Sequence, residues 1–187
     1  CGGGLCEVPA ALVVGLPFGL SLHRPDLRLF EYASRAAVEL LRIIHGSSEL
    51  MADLDAVAAQ WRSEALVHGD LRWDNCHVVA DRRWGAGRLK VVDWELAGMG
   101  DPAWDIAMVF GEYVRTWLQS APVSGLTPAS SFLQHARYPL AEMRPALRAF
   151  WDGYVRSRQL SLERAEALLS RAVRYLATRL IQTAFEW

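Results

Sequence analysis

Apolar residues recur at three- and four-residue steps from Leu29 through Ala33, Ala36, Ala37, Leu40, Leu41 and Ile44. That spacing marks one face of a helix, and the pattern stops at His45-Gly46. A second stripe, Leu50, Leu54, Val57 and Trp61, predicts another helix from about Ser48, capped by Ser47 or Ser48. Ahead of both, residues 1–25 are punctuated by Pro and Gly and read as an extended opening segment.

The middle of the chain changes character. Ala65-Leu66-Val67 is a short apolar run leading into His68-Gly69-Asp70. Residues 76–80 and 89–92 read as two strands joined by a polar, Gly-containing connection, which predicts a β-hairpin. Pro102 follows Asp101 as a first helical residue follows its cap, and that helix should reach about Trp117. Residues 119–131 are rich in Pro, Ser, Gly and Thr and read as a loop. Helices over about 140–157 and 161–186 close the chain. The expected fold is mainly α with one small β-hairpin (α+β). Residues 1–25 form an opening segment or inter-lobe linker, and residues 26–187 form one domain.

Composition narrows the class. Hydrophobic residues make up 52% and charged residues 22% of 187, the balance of a globular chain able to bury a core. A formal net charge of -1 gives no overall positive field for a nucleic acid or an acidic membrane, so neither is expected as a partner. The apolar run 12–22 is too short and too broken by Pro17 to span a bilayer. Cys1, Cys6 and Cys76 form no disulfide framework and no metal-ligand pattern, so they read as reduced thiols of a cytoplasmic protein.

The chemistry concentrates in Val67-His68-Gly69-Asp70-Leu71-Arg72-Trp73-Asp74-Asn75, the hairpin, and Val91-Val92-Asp93-Trp94-Glu95. Phosphoryl transfer asks a protein to orient a hydroxyl and to hold divalent metal on phosphates. A carboxylate beside the attacking oxygen serves the first need, and hard oxygen donors serve the second. Asp70 and Asn75 stand at the two ends of one short loop, and a hairpin after Asn75 would bring Asp93 back beside it.

His68-x-Asp70-x-x-x-x-Asn75 is the H-x-D-x-x-x-x-N pattern of kinase catalytic loops. With Gly69 at its second position it resembles the aminoglycoside phosphotransferase and choline kinase family rather than the protein kinases. Asp93-Trp94-Glu95 stands where protein kinases have D-F-G, and Gly100-Asp101-Pro102-Ala103-Trp104-Asp105 resembles that family's next helix. The resemblance runs from about Leu29 to the C-terminus. It implies the C-terminal lobe of a protein-kinase-like fold, using Mg²⁺ and ATP to phosphorylate a hydroxyl. On that resemblance Asp70 is the catalytic base and Asn75 and Asp93 bind Mg²⁺ and nucleotide. His68 and Asp105 support the loop. Arg72 either contacts the transferred phosphate or faces solvent. Trp73, Trp94 and Trp104 either pack around the loop or wall the substrate, with packing the simpler reading. Asp101 reads as a helix cap, Glu95 as a surface carboxylate, and Arg82, Arg83, Arg88 and Lys90 as a solvated hairpin tip.

The family's N-terminal lobe carries a phosphate-covering loop and a strand Lys paired to a helical Glu. Neither is found here: Gly2-Gly3-Gly4 lacks the G-x-G-x-x-G spacing, and the only Lys is Lys90. The chain is therefore expected to be one lobe whose partner lobe lies in the same polypeptide or on another chain, and activity of this chain alone is in doubt. Two substrate classes stay open. One is a hydroxyl-bearing small molecule. The other is Ser or Thr of a precursor peptide, since the wording around Asp70 and Asp93 also looks like kinases of lanthipeptide and thioamide-peptide pathways. From Pro122 onward five acidic residues face nine arginines, which speaks against a polycationic substrate. The competing reading from another class is a non-catalytic kinase-like binding or scaffold protein.

Overall fold

The computed structural model describes residues 12–31, 33–80, 87–122, 128 and 131–185. Six helices and two small sheets are described. The helices are α1 (Phe18–Ser21), α2 (Arg35–His45), α3 (Ser48–Ala58), α4 (Pro102–Gln119), α5 (Leu140–Ser157) and α6 (Leu162–Phe185). The strands are β1 (Ala65–Val67), β2 (Cys76–Ala80), β3 (Gly87–Val91) and β4 (Gly98–Gly100).

Caps set the helix starts. Ser34 Oγ accepts the Ala37 N–H and Ser47 Oγ accepts the Leu50 N–H, fixing the first turns of α2 and α3. The stripe beginning at Leu29 is therefore not one helix. Leu27–Glu31 forms a separate 3₁₀ turn, and the Ser34 cap restarts the chain as α2. The helix expected through Trp61 ends at Ala58, where Trp61 N–H turns back onto the Ala58 carbonyl. The opening segment, expected extended throughout, folds into the single turn α1, which buries Leu20.

The predicted hairpin is present. β2 and β3 pair antiparallel with Cys76 opposite Val91 and Ala80 opposite Gly87. Its tip, residues 81–86, lies outside the described residues, and so do Arg82 and Arg83; Arg88 and Lys90 are exposed. A second sheet had no forecast: β1 pairs antiparallel with β4, Val67 opposite Gly98 and Ala65 opposite Gly100. Val13 joins Met99 in a parallel bridge, and a Cβ on Gly98 would stand 2.6 Å from the Leu12 carbonyl oxygen. Only glycine lets that strand approach.

Helices α4 and α6 form the centre. Ala103, Trp104, Ile106, Ala107 and Met108 of α4 pack with Leu168, Ala172 and Tyr175 of α6 and Leu20 of α1. A second cluster joins Leu22 to Leu41, Ile44 and Leu54, with Ile181 and Phe185 against it. Among the described residues no helix is long and apolar enough to cross a membrane.

Asp101 does more than cap α4. It is fully buried, with Oδ1 accepting the Ala103 N–H at 2.9 Å and Oδ2 accepting the Tyr175 hydroxyl at 2.9 Å. Arg171 Nη2 donates to Oδ1 at 3.1 Å, while Arg171 Nε lies 2.7 Å from Oδ2 as a charge contact with a poorly aligned N–H. Burial first, then the Asp101 charge, pushes the Tyr175 hydroxyl above its usual range.

Candidate active site

The segment from Val67 to Asn75 leaves β1, crosses the start of α4 and enters β2. Its first half is clamped by Asp105, in the first turn of α4. The Asp105 carboxylate accepts His68 N–H at 2.7 Å and Gly69 N–H at 3.0 Å. Burial pushes this carboxyl above its ordinary value, and the two N–H donors pull it back in part. Trp104, one residue earlier, donates Nε1–H to the Gly69 carbonyl at 3.1 Å. Gly69 itself sits at φ +83°, and a Cβ there would stand 2.7 Å from the Leu96 carbonyl oxygen. Both constraints demand glycine.

His68 is buried with both ring nitrogens engaged. The Val92 carbonyl 2.8 Å from Nε2 can only accept, so Nε2 carries the hydrogen; Nδ1 accepts the Asp70 N–H at 3.3 Å. The ring thus ties the turn that carries Asp70 to Val92, the residue before Asp93. Trp94 packs on it at 4.8 Å between ring centres and donates to the Val91 carbonyl.

Asp70 and Asn75 meet across the turn. Asn75 Nδ2 donates to the Asp70 carbonyl at 2.8 Å and to Asp70 Oδ2 at 3.2 Å. The amide nitrogen is thereby committed to Asp70, and the carbonyl oxygen Oδ1 is the atom left to face a cation. Arg72, expected either on a phosphate or in solvent, folds back: its Nε lies 3.0 and 3.1 Å from the two Asp70 carboxylate oxygens. Asn75 also accepts the Val92 N–H on its backbone carbonyl at 3.0 Å. The hairpin therefore returns the chain to Asn75 one residue before Asp93. Asp93 is exposed and adopts a left-handed backbone conformation (φ 66°, ψ 59°) that turns the chain into the short helix Trp94–Leu96. A non-glycine residue there is uncommon, and Asp is among the residues that tolerate it best. Glu95 is exposed.

Trp73 packs edge-on against Tyr113 at 5.0 Å. Its backbone N–H donates to Glu112, a buried α4 carboxylate that also binds Arg115. Glu112 had no sequence signal: α4 brings it under the loop from 39 residues away. Beside Asp70 opens a cavity of about 470 Å³, walled by Leu16, Phe18, Trp61, Trp104 and Met108, with Arg72 and Arg179 at polar positions.

Asn75 and Asp93 carry the hard oxygen donors that could hold Mg²⁺. Among the described residues no three His, Cys, Asp or Glu side chains cluster as a metal cage. An Asp and an Asn at the ends of one braced turn, with a second Asp after a returning hairpin, form the arrangement that phosphoryl-transfer sites use.

The family comparison falls on the same ground. The chain belongs to the phosphotransferase enzyme family, whose model matches residues 8–150. No curated protein matches the chain.

Proposed function

We propose that this chain is the C-terminal lobe of a protein-kinase-like phosphotransferase that moves the terminal phosphoryl group of ATP to a hydroxyl. The observation that carries this reading is the three-way tie of Asp70, Asn75 and Val92, which sets Asp93 one residue beyond the turn. In this reading Asp70 orients the acceptor hydroxyl and takes its proton. Arg72, already on Asp70, steers that carboxylate and stands ready for the phosphoryl charge. Asn75 and Asp93 would hold Mg²⁺, which supplies charge neutralisation on the phosphates. His68 and Asp105 keep the turn in shape. A second lobe, in the same polypeptide or another chain, covers the nucleotide. The exposed apolar side chains Val78, Leu89, Trp94 and Leu96 on and beside the hairpin offer it a surface.

The acceptor occupies the cavity beside Asp70. Asp70 is the one carboxylate among its described lining residues, whereas two arginines line it. A polycationic antibiotic would find little to pair with there, so the acceptor is neutral or anionic with an apolar part. Both a small alcohol and a peptide Ser or Thr meet that description. A second reading, a non-catalytic kinase-like binding or scaffold lobe, draws on one observation: Arg72 occupies both Asp70 oxygens.

Transfer of labelled terminal phosphate from Mg·ATP to a panel of small alcohols and Ser/Thr peptides tests the proposal, with the chain assayed alone and with the small lobe restored. Label on one acceptor class, reduced about 10²- to 10⁴-fold in Asp70→Asn, supports it. Nucleotide binding without label on any acceptor supports the scaffold.

A further inference from the structure

Three of the nine arginines after Pro122 line one cavity. Arg164 and Arg171 of α6, with Tyr154 and Arg158 at the end of α5, face Arg62 and Glu64 across a cavity of about 420 Å³. None of its lining residues belongs to the cavity beside Asp70, so it is a separate site.

Its charges do not balance. Arg171 is committed to the buried Asp101 behind the wall. Arg62 donates to Glu64 at 3.2 Å. Those two carboxylates answer two of the four guanidinium groups. Among the described residues no carboxylate comes within ion-pair distance of Arg158 or Arg164. Arg158 and Arg164 are both exposed, so their guanidinium groups are open to a bound anion that would answer their charge.

The surplus specifies the anion. A phosphate monoester carries about −1.5 to −2 at neutral pH. Guanidinium forks match its oxygens two at a time. A single carboxylate would leave half the surplus unanswered. The cavity is larger than a phosphate and lies within the size range of small-ligand sites. Pro102, Leu160 and Leu168 line the remainder and suit an organic part.

We propose that this cavity binds a phosphate monoester through Arg158 and Arg164, with the Tyr154 hydroxyl as a further donor. The inference stands on this cavity's charges and does not depend on the proposed function. Inorganic phosphate is the first probe, exchanged for chloride at constant ionic strength while thermal unfolding of the chain is followed. Arg158→Gln/Arg164→Gln removes the surplus from two exposed positions, and its circular dichroism and cooperative melting confirm the fold. Arg72→Gln controls for phosphate bound beside Asp70. At about ten times its Kd, phosphate should raise the Tm of wild type and Arg72→Gln alike by about 3–5 °C. It should leave the double variant unmoved. A shift kept in the double variant, lost in Arg72→Gln, or missing from wild type overturns the proposal. Phosphoserine and a phosphoserine peptide are then titrated. Tighter binding of the first supports a small metabolite, and tighter binding of the second a phosphorylated chain. Binding of both more weakly than inorganic phosphate overturns the monoester assignment.

Discussion

Asp105 and His68 stand 37 residues apart, yet the Asp105 carboxylate accepts the His68 backbone N–H at 2.7 Å. The same carboxylate accepts Gly69 N–H, so one side chain of α4 satisfies two part-buried donors of the loop that presents Asp70. Asp105→Ala leaves both donors unmet. At about 1–3 kcal/mol for each orphaned group, the expected loss is about 2–6 kcal/mol, read from urea unfolding. A loss below about 1 kcal/mol would show that water replaces the carboxylate without cost.

Gly69→Ala tests the turn from the backbone side. The added Cβ meets the Leu96 carbonyl and must hold φ +83°. The expected cost is about 1–3 kcal/mol, with weakened phosphoryl transfer because Asp70 is the next residue. Thermal melts and labelled transfer measured on the same sample check both parts.

Asp101→Ala strips the nearer partner from a buried guanidinium and leaves it Glu64 at 3.5 Å. Arg171 and Tyr175 both depend on it, and breaking such a buried pair costs about 3–5 kcal/mol. Asp101→Ala/Arg171→Met removes the stranded charge as well and should recover part of that loss. A double variant no more stable than Asp101→Ala would mean that Tyr175, not Arg171, carries the energy.

The hydrogen bond from Arg24, followed by that from His23, holds the Asp55 carboxyl well below the usual 3.8. A depressed acid contributes stability that is fully present above its unfolded value and is lost as pH falls through its folded value. The Tm gap between wild type and Asp55→Asn should therefore shrink as pH falls below 3.8. Asp105 works the other way: its raised value makes stability fall as pH rises above 3.8, so the two windows do not overlap. A gap that widens on acidification would contradict the Asp55 assignment.

What could be read in the chain and what could not divide along sequence distance. Asp70, Asn75 and Asp93 announce themselves because their spacing is local and the hairpin between them has its own strand pattern. The start of α3 follows from its serine cap and its apolar stripe. The pairing of β1 with β4 was hidden, since three residues against Gly98-Met99-Gly100 leave no period to detect. Asp101 looked like a cap because its other partners lie 70 and 74 residues away. Glu112 and the pairing of His23 with Asp55 were silent for the same reason. The contact of Arg72 with the Asp70 carboxylate had no forecast, because two residues of spacing do not say which way a long side chain folds.

Asn75 and Asp93 are proposed as the protein's share of a metal–nucleotide site. Thermal unfolding with Mg·ATP, with ATP alone and with Mg²⁺ alone tests this on wild type and Asp93→Asn. Nucleotide at a hundred times its Kd should stabilise wild type by about 2.7 kcal/mol, a shift of several degrees at this size. The expected shift needs Mg²⁺ and disappears in Asp93→Asn. An equal shift in both proteins, or no Mg²⁺-dependent shift in any form, would contradict it.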